Sequence, residues 1–186
     1  MPWHMLHFSD LQRKSVPDQL FAFAQANLES AESLCLKLTA ETAAATYAHG
    51  AVILSLTFHS LELFLKAAIL QRIPAEKFGG RSGHDLTHLS KRFSDLYPEK
   101  EMSFHIPFMR QLPDTQGLDP EVIEELIACV RAQEKKMPED QLHRYPTGVD
   151  GKTWNAGFGF EPNSFLVTIH QLQRDCAAVK PRVQGG

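Results

Sequence analysis

Little in this chain is arranged for covalent or metal cross-linking. Its 186 residues hold only three cysteines, Cys35, Cys129 and Cys176. They are far apart, odd in number and never in a CxxC pair, which excludes a disulfide framework and a cysteine zinc site and fits a reducing cytoplasm. No charge of one sign dominates: 19 Lys and Arg stand against 22 Asp and Glu, a net charge of −3. That balance removes any global electrostatic pull toward nucleic acid or an anionic membrane. The basic runs "KR" at 91–92 and "EKK" at 134–136 are too short for a nucleic-acid stripe. The N-terminal "MPWHMLHFSDLQRK" lacks the basic and apolar regions of a signal peptide. The apolar run 51–70 is interrupted by His59, Glu62 and Lys66, so a membrane span is not expected. A phosphate loop and GxSxG are missing, and "GFGF" at 157–160 lacks the third glycine and setting of a dinucleotide fingerprint. No cofactor is implied.

What is present is helical periodicity in a composition of 43% hydrophobic and 22% charged residues, the range of a single globular domain. A chain of this length buries roughly 70% of its unfolded surface and needs no disulfide or metal staple. Residues 1–16 read as an N-terminal extension, 17–180 as one helical domain and 181–186 as a fraying tail. From Pro17, Leu20, Phe23, Ala24, Ala26, Leu28, Ala31, Leu34 and Leu38 follow mostly three- and four-residue steps and define an inward face. A turn near 38–42 should lead into a helix apolar on nearly all sides, with Gly50 bending it or admitting close packing, antiparallel to the first because the connection is short. Pro74, Gly79, Gly80 and Gly83 mark a loop. "SGHDLTHLSKRFSDLYP" then reads as a helix entered through a variant capping box, Ser82 to Asp85, and stopped before Pro98. "DPEVIEELIACVRAQEKK" places Asp119 as N-cap and Pro120 at the first helical position. A polar stretch follows, in which Asp150-Gly151 allows a short hairpin. The last helix opens at "SFLVTIHQ", capped by Asn163 or Ser164.

The chemistry concentrates in "FHSLELFLKAAIL", residues 58–70. His59, Glu62 and Lys66 sit at offsets of three and four, so all share one face, with Glu62 preceding Lys66 in the favoured orientation. A carboxylate inside so apolar a run must be met by partners, because a buried charge stripped of its pair costs about 3–5 kcal/mol. One reading is an internal ion pair that fixes helix register. The other brings His84, Asp85 and Arg144 onto Glu62 and Lys66, with Tyr145 beside them. That pocket, Glu62, Lys66, His84, Asp85, Arg144 and Tyr145, would take a phosphate on its cations and stack a base on Tyr145. A zinc reading of "HDLTH" uses His84 and His88 four apart, with His59, Glu62 or His105 as third ligand. Asp85 is a short substitute for the glutamate of HExxH, so no metal is assigned.

The order of "HSLELFLKAAIL", a short loop, "GHDLTHL", and "RYP" at 144–146 before a last helix resembles the HEPN superfamily over roughly residues 18–178. The resemblance implies an all-α antiparallel bundle of four to five helices with a long ordered loop, or short hairpin, before the last one. It further implies a homodimer linked to RNA or nucleotide biology, with a toxin–antitoxin or defence protein as partner. Active members of that superfamily resemble metal-independent ribonucleases whose motif is an Arg, then four to six intervening residues, then a His, near the start of the last helix. Here His170 is preceded by Asn163, and the Arg81–His88 pair lies on the wrong helix. The expectation is a cytoplasmic binding or interaction module without catalytic residues; the competing classes are a HEPN-type ribonuclease and the zinc hydrolase above.

Overall fold

The computed structural model describes residues 7–41, 46–106, 119–125, 127–128, 151 and 160–185. Among these the chain is all-helical, with no strand. A short α1 (Ser9–Gln12) lies in the N-terminal extension and precedes α2 (Val16–Ala40). The start of α2 is set by Ser15, whose extended backbone leaves the hydroxyl free to accept the amide of Asp18 at 3.2 Å. Pro17 in the first turn has no amide to lose there. Its buried stripe is Phe21, Ala24, Leu28, Ala31, Cys35 and Leu38, an alternation of three- and four-residue steps. Three expected core residues are displaced by this stripe: Phe23, Ala26 and Leu34 are exposed, while Phe21 and Cys35 go inward.

α2 ends at Ala40, within the expected turn near 38–42, and the next helix starts after Thr46. Thr46 then caps α3 (Tyr47–Arg72) by accepting the amide of His49. Most of α3 is buried, from Gly50 to Ile69. It is long and apolar enough by composition to cross a membrane, yet 72% of the apolar window is covered inside the bundle. Phe21 of α2 stacks edge-on against Phe64 of α3, Ser60 donates to the Ala24 carbonyl, and Leu38 lies beside Ile53 nearer the turn. Partners therefore ascend on one helix as they descend on the other, the antiparallel hairpin expected from a short connection.

The loop after α3 closes through a 3₁₀ turn, Arg81–Gly83, into α4 (Leu86–Leu96). The expected Ser82 capping box is replaced by Asp85 acting alone, its carboxylate accepting from the amides of Thr87 and His88. Leu86, Leu89 and Phe93 bury one face, and the Tyr97 hydroxyl donates to the Ala68 carbonyl at 2.9 Å, tying the end of α4 to α3. The helix at 120–125 and 127–128, α5, begins as expected on Asp119, which accepts from the Glu121 amide.

The last helix, α6 (Pro162–Gly185), is capped earlier than expected, by Glu161, two residues before Asn163 and three before Ser164. Hydrogen bonds from Ser164 and Asn163 hold that carboxyl at about 2, well below the carboxylate range. The expected fraying tail is helical as far as Gly185: Val183 is buried, and Gln184 reaches Asp18 at 2.6 Å. Pro181 is accommodated inside this helix. α6 runs antiparallel to α2, from Cys35 Sγ on the Pro162 carbonyl to Lys180 over the Phe21 ring. The core is thus α2, α3 and α6, with α4 laid against α3. The sequence hairpin lies outside the described residues apart from Gly151, whose φ of +73 suits a tight turn.

Candidate functional site

Glu62 lies in the middle of α3 on the side facing the 73–85 loop and is 4% exposed. Lys66, one turn on, donates to Glu62 Oε1 at 2.7 Å. Both follow from helix geometry, which stacks i and i+4 side chains. The third partner comes from a distant segment. His84 places Nδ1 2.9 Å from the same carboxylate oxygen, while His59, one turn before Glu62, stands 3.8 Å from Oε2. The separation at His59 suits an ion pair but is too long for a hydrogen bond. Among the described residues His59 Nδ1 has no hydrogen-bond partner.

The loop reaches this point because two of its glycines permit it. Gly80 has φ +66, and at Gly83 a Cβ would stand 3.0 Å from the Phe78 carbonyl carbon. A side chain there would press the Phe78 backbone aside by a few tenths of an ångström, so glycine eases this close approach. Phe78 in turn offers its ring to the Lys66 ammonium, 5.3 Å from the centroid. One tight turn therefore sets both His84 on the carboxylate and Phe78 on the amine.

Burial pushes the Glu62 carboxyl up, but His59, the Lys66 hydrogen bond and charge, and His84 outweigh it and hold the group at about 2. The carboxylate is ionised throughout the physiological range. The Lys66 ammonium and the Glu62 carboxylate offset one another across a 2.7 Å ion pair. With Nδ1–H of His84 directed at Glu62, its Nε2 is the nitrogen left for outside contacts. The His84 and His59 side chains are about half exposed, at 51% and 42%. They form the accessible rim over a buried ion pair.

The expected convergence is met in part. Glu62, Lys66 and His84 come together. Asp85 does not join them, because its carboxylate is taken by the amides that open α4. Arg144 and Tyr145 lie outside the described residues. His59 and Phe78 were absent from the expected pocket. His59 shares the Glu62 face and was legible as such; Phe78 had no signal beyond being an aromatic in a glycine-rich loop. His88 is exposed on α4, away from any grouping with His84. Among the described residues no group of three His, Cys, Asp or Glu side chains is placed to hold a metal ion.

His170 belongs to a separate contact. Its Nε2 is 2.8 Å from Glu32 Oε1, and Gln173 donates to Glu32 Oε2 at 2.7 Å. Cys35 and Cys176 are held as thiols: burial raises the first, and burial with Asp175 pushes the second up to about 12. No family model, curated protein or solved structure matches the chain.

Proposed function

We propose that this chain is a HEPN-like helical binding module that takes the phosphate of a nucleotide or RNA at the rim of the Glu62 cluster. The observation that carries the reading is the pair of half-exposed imidazoles, His84 and His59, set on the two oxygens of one buried carboxylate whose charge Lys66 already balances. Imidazoles that take protons present cationic N–H donors to a phosphate. The role is binding. Position 163, where the ribonuclease motif places Arg, is Asn. A cytoplasmic setting goes with this reading.

The test is equilibrium titration of the full chain with inorganic phosphate, a nucleoside monophosphate and a short single-stranded RNA, at pH 6 and pH 8 and low salt. Binding is expected to be tighter at pH 6, to weaken several-fold in His84→Ala and in His59→Ala, and to leave the RNA intact. Equal affinity in wild type and both variants, or no binding at either pH, refutes the reading.

A further inference from the structure

A cavity of about 390 Å³ opens where α2, α3 and α6 meet, and it is lined by no residue of the Glu62 cluster. Phe21, Ala24 and Leu28 of α2 and Ser60 and Phe64 of α3 form its floor, all of them buried. Gln25 and Glu29 of α2 and Ala177 of α6 stand at its exposed mouth. A hollow of this volume between bundle helices, apolar within and polar at a few rim positions, has the size and make-up of a small-molecule site. Its floor has little to give a polar ligand. The Ser60 hydroxyl is spent on the Ala24 carbonyl at 2.6 Å, and burial with Asp175 keeps Cys176 a thiol.

The charges at the mouth are sorted by end. Lys180 lies over the Phe21 ring, 5.5 Å from its centroid, whereas Gln173 lines the opposite end, where it reaches Glu32 at 2.7 Å. Glu29 stands at that opposite end too, eight positions beyond Phe21 on α2, which at 1.5 Å per residue makes the hollow about 12 Å long. Its carboxylate accepts from the Gln25 amide at 2.8 Å. Among the described residues Lys180 makes no ion pair. Asp18, which feels the Lys180 charge, is bonded instead to Ser15 at 2.7 Å and to Gln184 at 2.6 Å. One end therefore carries an ammonium that an anion can meet, and the other a carboxylate that repels one. An elongated molecule with a single carboxylate fits in one orientation, its apolar body over Phe21, Leu28 and Phe64. A second carboxylate at its far end would face Glu29.

We infer that the hollow between α2, α3 and α6 binds an elongated apolar monocarboxylate of the medium-chain fatty acid class, its head on Lys180 and its tail toward Glu29. The inference is independent of the phosphate reading and uses none of its residues. Isothermal titration calorimetry of the full chain at neutral pH with octanoate, octanol and the dicarboxylate suberate tests it. Octanoate is expected to bind, and octanol and suberate to bind about ten-fold more weakly, the first for want of a charge and the second for its charge beside Glu29. Lys180→Ala should weaken octanoate about ten-fold, as for the loss of one charged hydrogen bond, and Lys180→Arg should stay within about three-fold of wild type. Ala177→Trp, at an exposed position of the mouth, should block octanoate while leaving the helix content by circular dichroism unchanged. His84→Ala should bind octanoate as wild type does. A wild type that does not bind octanoate, octanol or suberate binding as tightly as octanoate, a Lys180→Ala chain with unchanged affinity, or a folded Ala177→Trp chain that still binds overturns the inference.

Discussion

Two carboxylate–imidazole pairs in this molecule have nearly the same bond length and opposite surroundings. Glu62 meets His84 at 2.9 Å with its side chain 5% exposed, and Glu32 meets His170 at 2.8 Å with its side chain 27% exposed. Each carboxylate has a further donor, Lys66 for the first and Gln173 for the second. The difference lies in what happens when a partner is lost. Water can replace any partner of Glu32. Around Glu62 it can do so far less, because the carboxylate itself is covered and water must pass the His84–His59 rim to reach it. A hydrogen-bond distance alone therefore says little about how much a pair matters to the fold.

The largest expected effect follows directly. Glu62→Ala leaves the Lys66 ammonium, itself only 8% exposed, without its counter-charge. The loss should be about 3–5 kcal/mol of unfolding free energy by urea titration, as when one member of a buried pair is removed. A loss below about 0.5 kcal/mol, the level of an ordinary surface change, would show that the cluster is solvated after all.

Acid should act on the same pair. The Glu62 carboxyl falls from its ordinary 4.5 to about 2 in the folded chain, against the pull of burial and because of His59, Lys66 and His84. A value depressed on folding means stabilisation that is complete above the unfolded value. It is lost as pH falls from about 4.5 through about 2, and at 1.36 kcal/mol per unit it amounts to about 3 kcal/mol. Stability measured from pH 5 to pH 2 should drop steeply in wild type and less steeply in Glu62→Gln. The Glu32 carboxyl is also lowered, by Gln173 and then His170, so Glu32→Gln should remove a smaller part of the slope. Equal slopes for the two variants would erase the distinction between the sites.

Much of this contrast was legible before any coordinates, and the reasons are local. Glu62 and Lys66 had to share a face once the segment was helical, and a carboxylate in "SLELFLKAAIL" had nowhere apolar to go without partners. The first turn of α2 at Pro17 and the start of α5 at Asp119–Pro120 were marked by residues whose chemistry suits a helix N-terminus, whereas the Ser15 cap was not read. The inward face of α2 was harder to read. Phe21 and Phe23 are equally apolar, and only tertiary packing decides that the first meets Phe64 while the second faces out. The start of α3 was hidden by "AETAAAT", an alanine-rich run without a breaker, so that the Thr46 cap gave the sole local cue. Arrival of His84 at Glu62 depended on the loop path, set by contacts such as Gly83 on Phe78 that no periodicity encodes.

Asp85 sharpens the comparison from the other side, because it stands next to His84 and yet belongs to the helix. Its carboxylate accepts from the Thr87 and His88 amides at 2.8 and 3.2 Å, satisfying two donors that an α-helix leaves open. Asp85→Ala should cost about 1 kcal/mol, the usual loss of an N-cap, and Asp85→Asn should recover most of it, since an amide oxygen can cap as well. If Asp85 served the Glu62 cluster by its charge, Asn would not rescue, and the urea midpoints of the two variants would coincide.

The smallest effect is expected at the second pair. Glu32 ties α2 to α6 through His170 and Gln173, but those helices are already joined by the buried Ala31, Cys35, Ile169 and Leu172. Removing a partly exposed carboxylate lets water take up His170 and Gln173, so Glu32→Ala should lower stability by less than about 1 kcal/mol. The effect should shrink further in 1 M salt, where exposed charges are screened within about 3 Å. Glu62→Ala should lose little of its effect in the same salt, because ions do not enter a covered site. A Glu32→Ala loss as large as that of Glu62→Ala, or one insensitive to salt, would mean that the α2–α6 seam excludes water as fully as the centre of α3 and that burial does not separate the two pairs.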